Sequence, residues 1–509
     1  MSSQMNDIPK GTLQITVTKA VQYIIMALFY IAVAKTNALT QEEIGVLSIL
    51  SFLSSVIILI TGLALPTALT KFTSENVGKS KLKEAASIQK TVRKTVLTLS
   101  IAGFIIAVVL SNQLSQFLLG SSMYAHLIIL MLMYTLIFSI ITLCNSTLQA
   151  LFLFGKMATV TLIFIVISRT TAATLAMLHM GLEGVLIGYI TGSMAALIVA
   201  AAFLRGKLPK TNHNASLKPI LKFSLPLFLS SLTLLVLNRS DIVIITAMTL
   251  DYSLTGIYYI ALNSVSVLSI LWIPVTTTIF PALSAKHGLR KPEDITGILK
   301  TSSRYLIYII LPSCLGLAVI SPTALAFFYG LNYTTGAIPL SILSVAAIIA
   351  ALYSLFTTTL TAIGKTTQIL KVNVILALST VTVLIAIVPF FQIVGAALAR
   401  LITLFIGITL AFYILQKEIP VQIDKEALWK STVASAVTIP FLLIFETTIS
   451  KSLPVTQTLI IEILTAASIY AFSLYILKAL KTQDFELLRQ ALPNALTKYV
   501  DFVEKIMIR

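Results

Sequence analysis

The chain has 509 residues, of which 57% are hydrophobic and 11% are charged, with a mean hydropathy of +0.97. Soluble proteins carry about 25% charged residues, so this composition cannot cover a water-facing surface and excludes a soluble globular enzyme. A helix that spans a membrane needs about 20 mostly apolar residues, which leaves room here for a dozen or more spans. The sequence therefore predicts an all-α integral membrane protein.

Hydropathy along the chain predicts about fourteen transmembrane helices. In chain order they are expected near residues 13–34, 44–66, 92–111, 124–149, 157–178, 184–204, 223–248, 256–281, 302–328, 337–360, 367–389, 395–415, 428–449 and 458–480. The first apolar stretch is too long for a signal peptide and lacks a cleavage site, so we expect it to be the first span. After the last span, apolar residues at helical spacing predict an amphipathic tail on the inner leaflet.

The net charge of +17 is distributed unevenly over the connecting segments. With a cytoplasmic N-terminus, nearly all lysines and arginines fall in the inner segments, and the outer loops hold only Lys35 and Lys451. Because cytoplasmic loops of membrane proteins carry the excess of basic residues, we predict a multi-pass protein of the cell (plasma) membrane with both termini cytoplasmic. The basic charge thus reflects membrane topology, and nucleic acid is not an expected partner.

Short motifs recur six spans apart and indicate an internal repeat. Both the second and the eighth span open near a glycine, Gly45 or Gly256. The other matching features are Pro66 and Lys71 with Pro281 and Lys286, Gly155-Lys156 with Gly364-Lys365, and Gly184 with Gly395. Since six is even, both halves have the same orientation in the membrane.

The repeat predicts two parallel-related six-helix lobes that surround a central cleft. We expect the N-terminal lobe over residues 1–215 and the C-terminal lobe over residues 216–415. An appended helix pair follows over residues 416–480, and residues 481–509 form the cytoplasmic amphipathic tail.

The motifs that carry the repeat resemble one superfamily of transporters. They are Leu39-Thr40-Gln41-Glu42-Glu43-Ile44-Gly45-Val46-Leu47-Ser48, Gly62-Leu63-Ala64-Leu65-Pro66-Thr67-Ala68-Leu69-Thr70-Lys71, the spacing from Asp241 to Gly256-Ile257-Tyr258, and Phe328-Tyr329-Gly330-Leu331-Asn332-Tyr333 before Pro339-Leu340. The chain resembles the multidrug/oligosaccharidyl-lipid/polysaccharide exporter (MOP) superfamily over most of residues 10–415, and within it the O-antigen-type polysaccharide flippases. This resemblance implies a V-shaped pair of six-helix bundles that works by alternating access.

Charged residues inside the spans are functional candidates because they are costly in lipid. The predicted core holds four basic residues and one acidic residue, which are Lys19, Arg169, Arg239, Arg400 and Asp241. The excess of positive charge favours an anionic ligand, and arginine grips phosphate oxygens bidentately. We therefore predict a cationic, substrate-binding cleft for the phosphate or pyrophosphate of a lipid-linked glycan.

Each of these charges also has a structural interpretation. Asp241 lies two residues from Arg239, so the two side chains point in different directions, and Asp241 could pair with Arg169 or another basic residue instead. Lys19 could snorkel to the inner surface, and Arg400 could reach the outer headgroups. Asp241 is therefore a candidate for an ion pair or for coupling.

Three asparagines, Asn145, Asn238 and Asn263, are candidates for secondary polar contacts with a glycan, although polar residues also join helices to one another. The four histidines share no spacing, and the two cysteines lie in separate apolar runs, so neither a metal site nor a cofactor is expected.

The preferred function is the flipping of a lipid-linked oligosaccharide or polysaccharide precursor from the inner to the outer leaflet. A MATE-like, cation-coupled drug exporter and a lipid II-type flippase are alternatives. Asp241 is the only acid of the core, which counts against cation coupling. An integral-membrane glycan-processing enzyme is a further alternative, but the four acids of the outer loops are far apart in sequence. No phosphate-binding loop is complete, so we expect a transporter rather than an ATPase, with the bilayer and glycan-assembly enzymes as candidate partners.

Overall fold

The computed structural model describes residues 8–209, 211–288, 292–449 and 453–479. In these ranges the chain consists of helices and short turns, with no β-strand. The all-α membrane fold predicted from hydropathy is therefore confirmed. The amphipathic tail predicted over residues 481–509 lies outside the described ranges.

Seventeen α-helices can be followed in the described part of the chain. The first ten are α1 (Ile8–Lys35), α2 (Gln41–Gly62), α3 (Leu65–Gly78), α4 (Leu82–Val109), α5 (Ser111–Leu119), α6 (Ala125–Ala150), α7 (Phe154–Leu175), α8 (Gly181–Leu204), α9 (Leu217–Thr249) and α10 (Tyr252–Val267). The others are α11 (Ile273–Gly288), α12 (Pro292–Val319), α13 (Ser321–Tyr329), α14 (Ala337–Ala362), α15 (Thr366–Glu418), α16 (Lys425–Ile444) and α17 (Val455–Ile476).

Twelve helical stretches in the described ranges are long and apolar enough to cross a membrane. Two of them are much longer than one span: Phe154–Leu204 has 51 residues and Thr366–Glu418 has 53. Each is interrupted by a residue with positive φ, His179 (φ 64°) in the first and Gln392 (φ 47°) in the second. A total of fourteen spans is reached if each of these stretches crosses twice, and the exact number remains a prediction.

Acidic residues predicted in the outer loops serve as helix caps. The Thr40 backbone N–H donates to Glu43 Oε2 at 2.8 Å, and the Glu43 backbone N–H donates to Thr40 Oγ1 at 3.1 Å, which forms a capping box at the start of α2. Asp251 Oδ1 accepts from the Leu254 N–H at 3.1 Å and caps α10. These side chains satisfy N–H groups that the first helical turn leaves without a partner.

Helices α2 and α10 approach closely where both have a glycine. A Cβ added at Gly45 would collide with the backbone carbonyl of Tyr252, and one added at Gly256 would collide with the carbonyl of Gln41. The Ser253 hydroxyl also donates to Gln41 Oε1 at 2.8 Å. The absence of a side chain at Gly45 and Gly256 therefore permits this contact between the second and the eighth predicted span, which correspond to each other in the repeat.

Contacts divide the chain into two compact units, and each has apolar clusters of its own. The first contains Met1–Ile270 and Leu370–Thr403, and the second contains Leu271–Ile369 and Leu404–Arg509. In the first unit, Leu69, Val92 and Leu143 are buried in one cluster, and in the second, Tyr308 and Ala434 are buried in another. The two six-helix lobes inferred from the repeat remain a prediction.

Candidate functional site

Asp241 is held by an ion pair that joins three helices of the first unit. Arg400 Nη1 on α15 donates to Asp241 Oδ2 on α9 at 2.6 Å, and the Tyr258 hydroxyl on α10 donates to the same oxygen at 2.9 Å. The other carboxylate oxygen, Oδ1, accepts from the Ile242 backbone N–H at 2.9 Å. Because the Asp241 side chain is only 5% exposed, this pair is a buried electrostatic contact that fixes α9 against α10 and α15.

Arg169 has a different environment, made of aromatic rings. The centre of its guanidinium lies 4.2 Å from the ring centroid of Tyr189 and 5.1 Å from that of Phe29, which are cation–π distances. The Nε and Nη1 atoms are buried and have no hydrogen-bond partner. No carboxylate pairs with Arg169 among the described residues; the charged or polarisable groups around it are tyrosine hydroxyls, including those of Tyr30 and Tyr134.

Tyr259 connects this environment with Arg239. The Tyr30 hydroxyl donates to the Tyr259 hydroxyl at 3.3 Å, and the two rings pack edge to face with centroids 5.6 Å apart. The Tyr259 hydroxyl interacts electrostatically with both Arg239 and Arg169. We refer to Arg169, Arg239, Tyr30, Tyr189 and Tyr259 as the arginine–tyrosine cluster.

The cluster brings together two of the four predicted cationic residues. Arg169 and Arg239 belong to it, whereas Arg400 is engaged by Asp241. Lys19 is exposed on α1 and forms no ion pair with the described part of the chain. Arg169 and Arg239 therefore both interact with the hydroxyl of Tyr259, and neither pairs with an acidic side chain among the described residues.

The three predicted asparagines lie in different surroundings. Asn238 Nδ2 donates to the Leu234 carbonyl at 2.8 Å, and Asn263 Nδ2 donates to the Tyr259 carbonyl at 2.7 Å, each within its own helix. Asn145 Oδ1 is buried on α6 without a hydrogen-bond partner. Asn263 is thus linked to the backbone of a cluster residue, Tyr259, and Asn238 directly precedes the cluster residue Arg239 in the chain.

Sequence reasoning missed the tyrosines because it considered only charged side chains and asparagines. Tyr30, Tyr134, Tyr189 and Tyr259 all lie inside apolar helices, where a phenol hydroxyl needs a polar partner. This need for a polar partner could have identified the four tyrosines as candidate site residues. Which of the basic residues these hydroxyls meet depends on helix packing, and the pattern of one helix does not determine it.

The second unit contains a half-buried acidic side chain, Glu446, and a fully buried one, Glu462. The Thr323 hydroxyl donates to Glu446 Oε2 at 2.6 Å. Glu462 on α17 is fully buried, and neither of its carboxylate oxygens has a hydrogen-bond partner. Within the described ranges, no three His, Cys, Asp or Glu side chains are grouped so that they could hold a metal ion.

Comparison with protein families places the chain among known sequences. Residues 8–287, more than half of the chain, match the family described as polysaccharide biosynthesis protein. The chain belongs to this family. All residues of the arginine–tyrosine cluster lie inside the matched range, as does Asp241. This membership and the structural neighbours confirm the resemblance to the MOP superfamily.

One relative of similar sequence is the probable flippase AglR of Haloferax volcanii. It is 24% identical to this polysaccharide biosynthesis family member over 179 residues, or 35% of this chain. The match spans 37% of AglR, little more than a third of its length.

Solved structures with the same fold include flippases and drug transporters. The lipid II flippase MurJ in its inward closed conformation has a TM-score of 0.72 at 16% identity, with 90% of this chain and 97% of MurJ covered. An inward-facing MATE multidrug transporter of the MOP superfamily has a TM-score of 0.62 at 14% identity, with 78% and 95% covered. At these identities the comparison establishes the fold that this family member shares with MurJ and MATE.

Proposed function

We propose that this member of the polysaccharide biosynthesis family flips a lipid-linked oligosaccharide or polysaccharide precursor from the inner to the outer leaflet by alternating access. Three findings support this function: the family, the similarity to the probable flippase AglR, and the fold shared with MurJ. The protein lies in the cell membrane with both termini cytoplasmic. The two six-helix lobes rock around the cargo while its lipid tail stays in the bilayer.

The observation that carries the proposal is the pair of unsatisfied donors on Arg169. A buried N–H group without an acceptor costs about 1–3 kcal/mol, so these two atoms favour the binding of a hydrogen-bond acceptor. Phosphate oxygens are suitable acceptors for a guanidinium, which can bind them bidentately. The stacking of Arg169 on Tyr189 and Phe29 holds the guanidinium plane in place before the phosphate arrives.

Arg239 and the tyrosines complete the binding of the headgroup. Two arginines match the two negative charges of a pyrophosphate, and the Tyr259 hydroxyl, which accepts from Tyr30, can donate to one of its remaining oxygens or to the first sugar. Lys19, exposed on α1, attracts the headgroup at the inner surface. Asn145, Asn238 and Asn263 are proposed secondary contacts with the glycan.

Asp241 and Arg400 have a positioning role in this proposal. Asp241 lies two residues from Arg239 on α9, and its pairing with Arg400 and Tyr258 fixes that part of the helix. Arg400 was predicted to bind cargo; we now propose that it orients Arg239 instead.

The same geometry bears on the alternative functions. A cation-coupled drug exporter needs a carboxylate that is available to a cation, and Asp241 is already neutralised by Arg400. For an enzyme, the acidic residues of the outer loops are unfavourable candidates for acid–base catalysis, because Glu43 and Asp251 cap helices. A lipid II-type flippase uses the same phosphate chemistry and differs only in the glycan.

A leaflet assay in proteoliposomes tests the proposed function. A fluorescent polyprenyl-pyrophosphate sugar is placed in both leaflets, and the fraction accessible to an impermeant quencher is followed over time. We expect protein-dependent movement of this lipid and no movement of a cationic dye under an ion gradient. Movement of the dye with the sugar lipid left in place would assign the protein to drug export instead.

A further inference from the structure

A basic cavity lies in the first unit, apart from the arginine–tyrosine cluster. It has a volume of about 880 Å³ and is located where α4 begins and where α6 and α8 end, beside residues 205–209 and 211–212. The charge distribution assigns this end of the helices to the cytoplasm.

The wall of the cavity contains four basic residues and no acidic residue. They are Lys90, Arg93, Arg205 and Lys207. Arg93, Arg205 and Lys207 form no ion pair or side-chain hydrogen bond with the described residues, so their charge is not compensated by the protein. An uncompensated concave site of one sign concentrates ions of the opposite sign.

The inner part of the same cavity is apolar. Leu69, Leu143 and Leu197 from three different helices line it together with Cys144. A polar anion such as free phosphate would leave this surface in contact with water. A molecule with a phosphate at one end and a hydrocarbon chain at the other would cover both parts of the wall.

The segment that closes the cavity connects α8 with α9 and is tied to α4. Lys90 Nζ donates to the carbonyls of Thr211 and Asn212, both at 3.2 Å. The Ala215 N–H donates to Thr91 Oγ1 at 2.9 Å, and the Thr91 hydroxyl donates back to the Ala215 carbonyl at 3.3 Å. A ligand in the cavity therefore contacts the connection between the two repeated halves of the sequence.

We propose that this cavity binds an anionic phospholipid of the inner leaflet, with its phosphate between Arg93, Arg205 and Lys207 and an acyl chain along Leu143 and Leu197. Basic pockets between membrane helices on the cytoplasmic side are suited to such headgroups. The bound lipid neutralises the basic residues that line the cavity on α4 and just after α8. The site is independent of the flipping activity and of the arginine–tyrosine cluster.

Binding of phosphatidylglycerol to the purified full-length protein tests this site. The affinity is measured by native mass spectrometry for the wild type and for a double variant, Arg93→Gln with Lys207→Gln. A basic residue near a membrane surface contributes about 1 kcal/mol to the binding of an anionic lipid, so the double variant should bind roughly 25-fold more weakly. Hydrogen exchange of the amides over residues 205–216 should be slowed by the lipid in the wild type alone.

Two further variants control for charge and folding. Lys79→Gln with Lys83→Gln removes the same charge from exposed positions of the same face that do not line the cavity, and it should bind like the wild type. Arg93→Lys with Lys207→Arg keeps the charge and should retain most of the affinity.

Three results would overturn the proposal. The first is equal affinity of the wild type and the Arg93→Gln, Lys207→Gln variant for phosphatidylglycerol. The second is an affinity of the wild type for phosphatidylcholine that equals its affinity for phosphatidylglycerol. The third is equally tight binding of glycerol 3-phosphate, since the site would then take a free phosphate ester rather than a lipid.

Discussion

Arg169 and Arg400 both lie inside the membrane-spanning part of the chain, but their surroundings differ. Arg400 is neutralised at 2.6 Å by Asp241, whereas Arg169 stacks on Tyr189 and Phe29 and keeps two donors without a partner. An ion pair with satisfied hydrogen bonds is suited to hold helices together. A guanidinium that aromatic rings orient and that no acid neutralises is suited to bind an anion from outside the protein.

The pairing of Asp241 with Arg400 can be tested by a double-mutant cycle on thermal unfolding of the purified protein. Asp241→Leu and Arg400→Leu should each destabilise strongly, by about 3–5 kcal/mol, because each leaves a buried charge without its partner. The double variant should be more stable than the sum of the two single effects predicts. Additive losses would show that the two residues do not interact energetically.

Residue types could be predicted from the sequence, but most partners could not. The intramembrane charges follow directly from hydropathy, and both Arg169 and Arg239 proved to interact with Tyr259. Asp241 and Arg400 are 159 residues apart, and their pairing depends on how α9 and α15 pack. The tyrosines were overlooked because the spacing of aromatic residues along an apolar helix does not distinguish a binding role from packing.

At the scale of elements, the sequence located the helices well. The breaks at His179 and Gln392 fall in the gaps predicted between the fifth and sixth and between the eleventh and twelfth spans. The repeat pointed to the glycines that open the second and eighth spans, yet it gave no reason to expect that Gly45 and Gly256 lie against the facing helix. Such a contact depends on which helix faces meet, and the hydropathy of a uniformly apolar helix does not specify a face.

The contact between α2 and α10 predicts unequal effects of two glycine substitutions in one helix. Gly45→Ala should destabilise the protein by about 1–3 kcal/mol, because the added methyl collides with the carbonyl of Tyr252. Gly62→Ala, where the added methyl meets no atom, should be neutral or stabilising by up to about 1 kcal/mol. Thermal unfolding of both variants provides the comparison, and equal melting temperatures would contradict the close packing at Gly45.

At the scale of the whole molecule, the account requires one orientation in the membrane. Cysteines are introduced by Lys35→Cys and Lys79→Cys in a background without Cys144 and Cys314, and intact cells are treated with an impermeant maleimide. The charge distribution predicts labelling at position 35 in intact cells and at position 79 only after permeabilisation. The reverse pattern would invert the topology and place the basic cavity on the outer side.

The most direct test of the central claim is the rate at which variants of the arginine–tyrosine cluster flip a fluorescent polyprenyl-pyrophosphate sugar. Loss of hydrogen bonds to a charged group costs about 1.5–3 kcal/mol, so Arg169→Gln and Arg239→Gln should each slow flipping roughly tenfold to a hundredfold. Lys94→Gln, an exposed position outside the cluster, should flip at the wild-type rate. Wild-type flipping by both folded cluster variants would show that these arginines do not bind the cargo, and it would contradict the account.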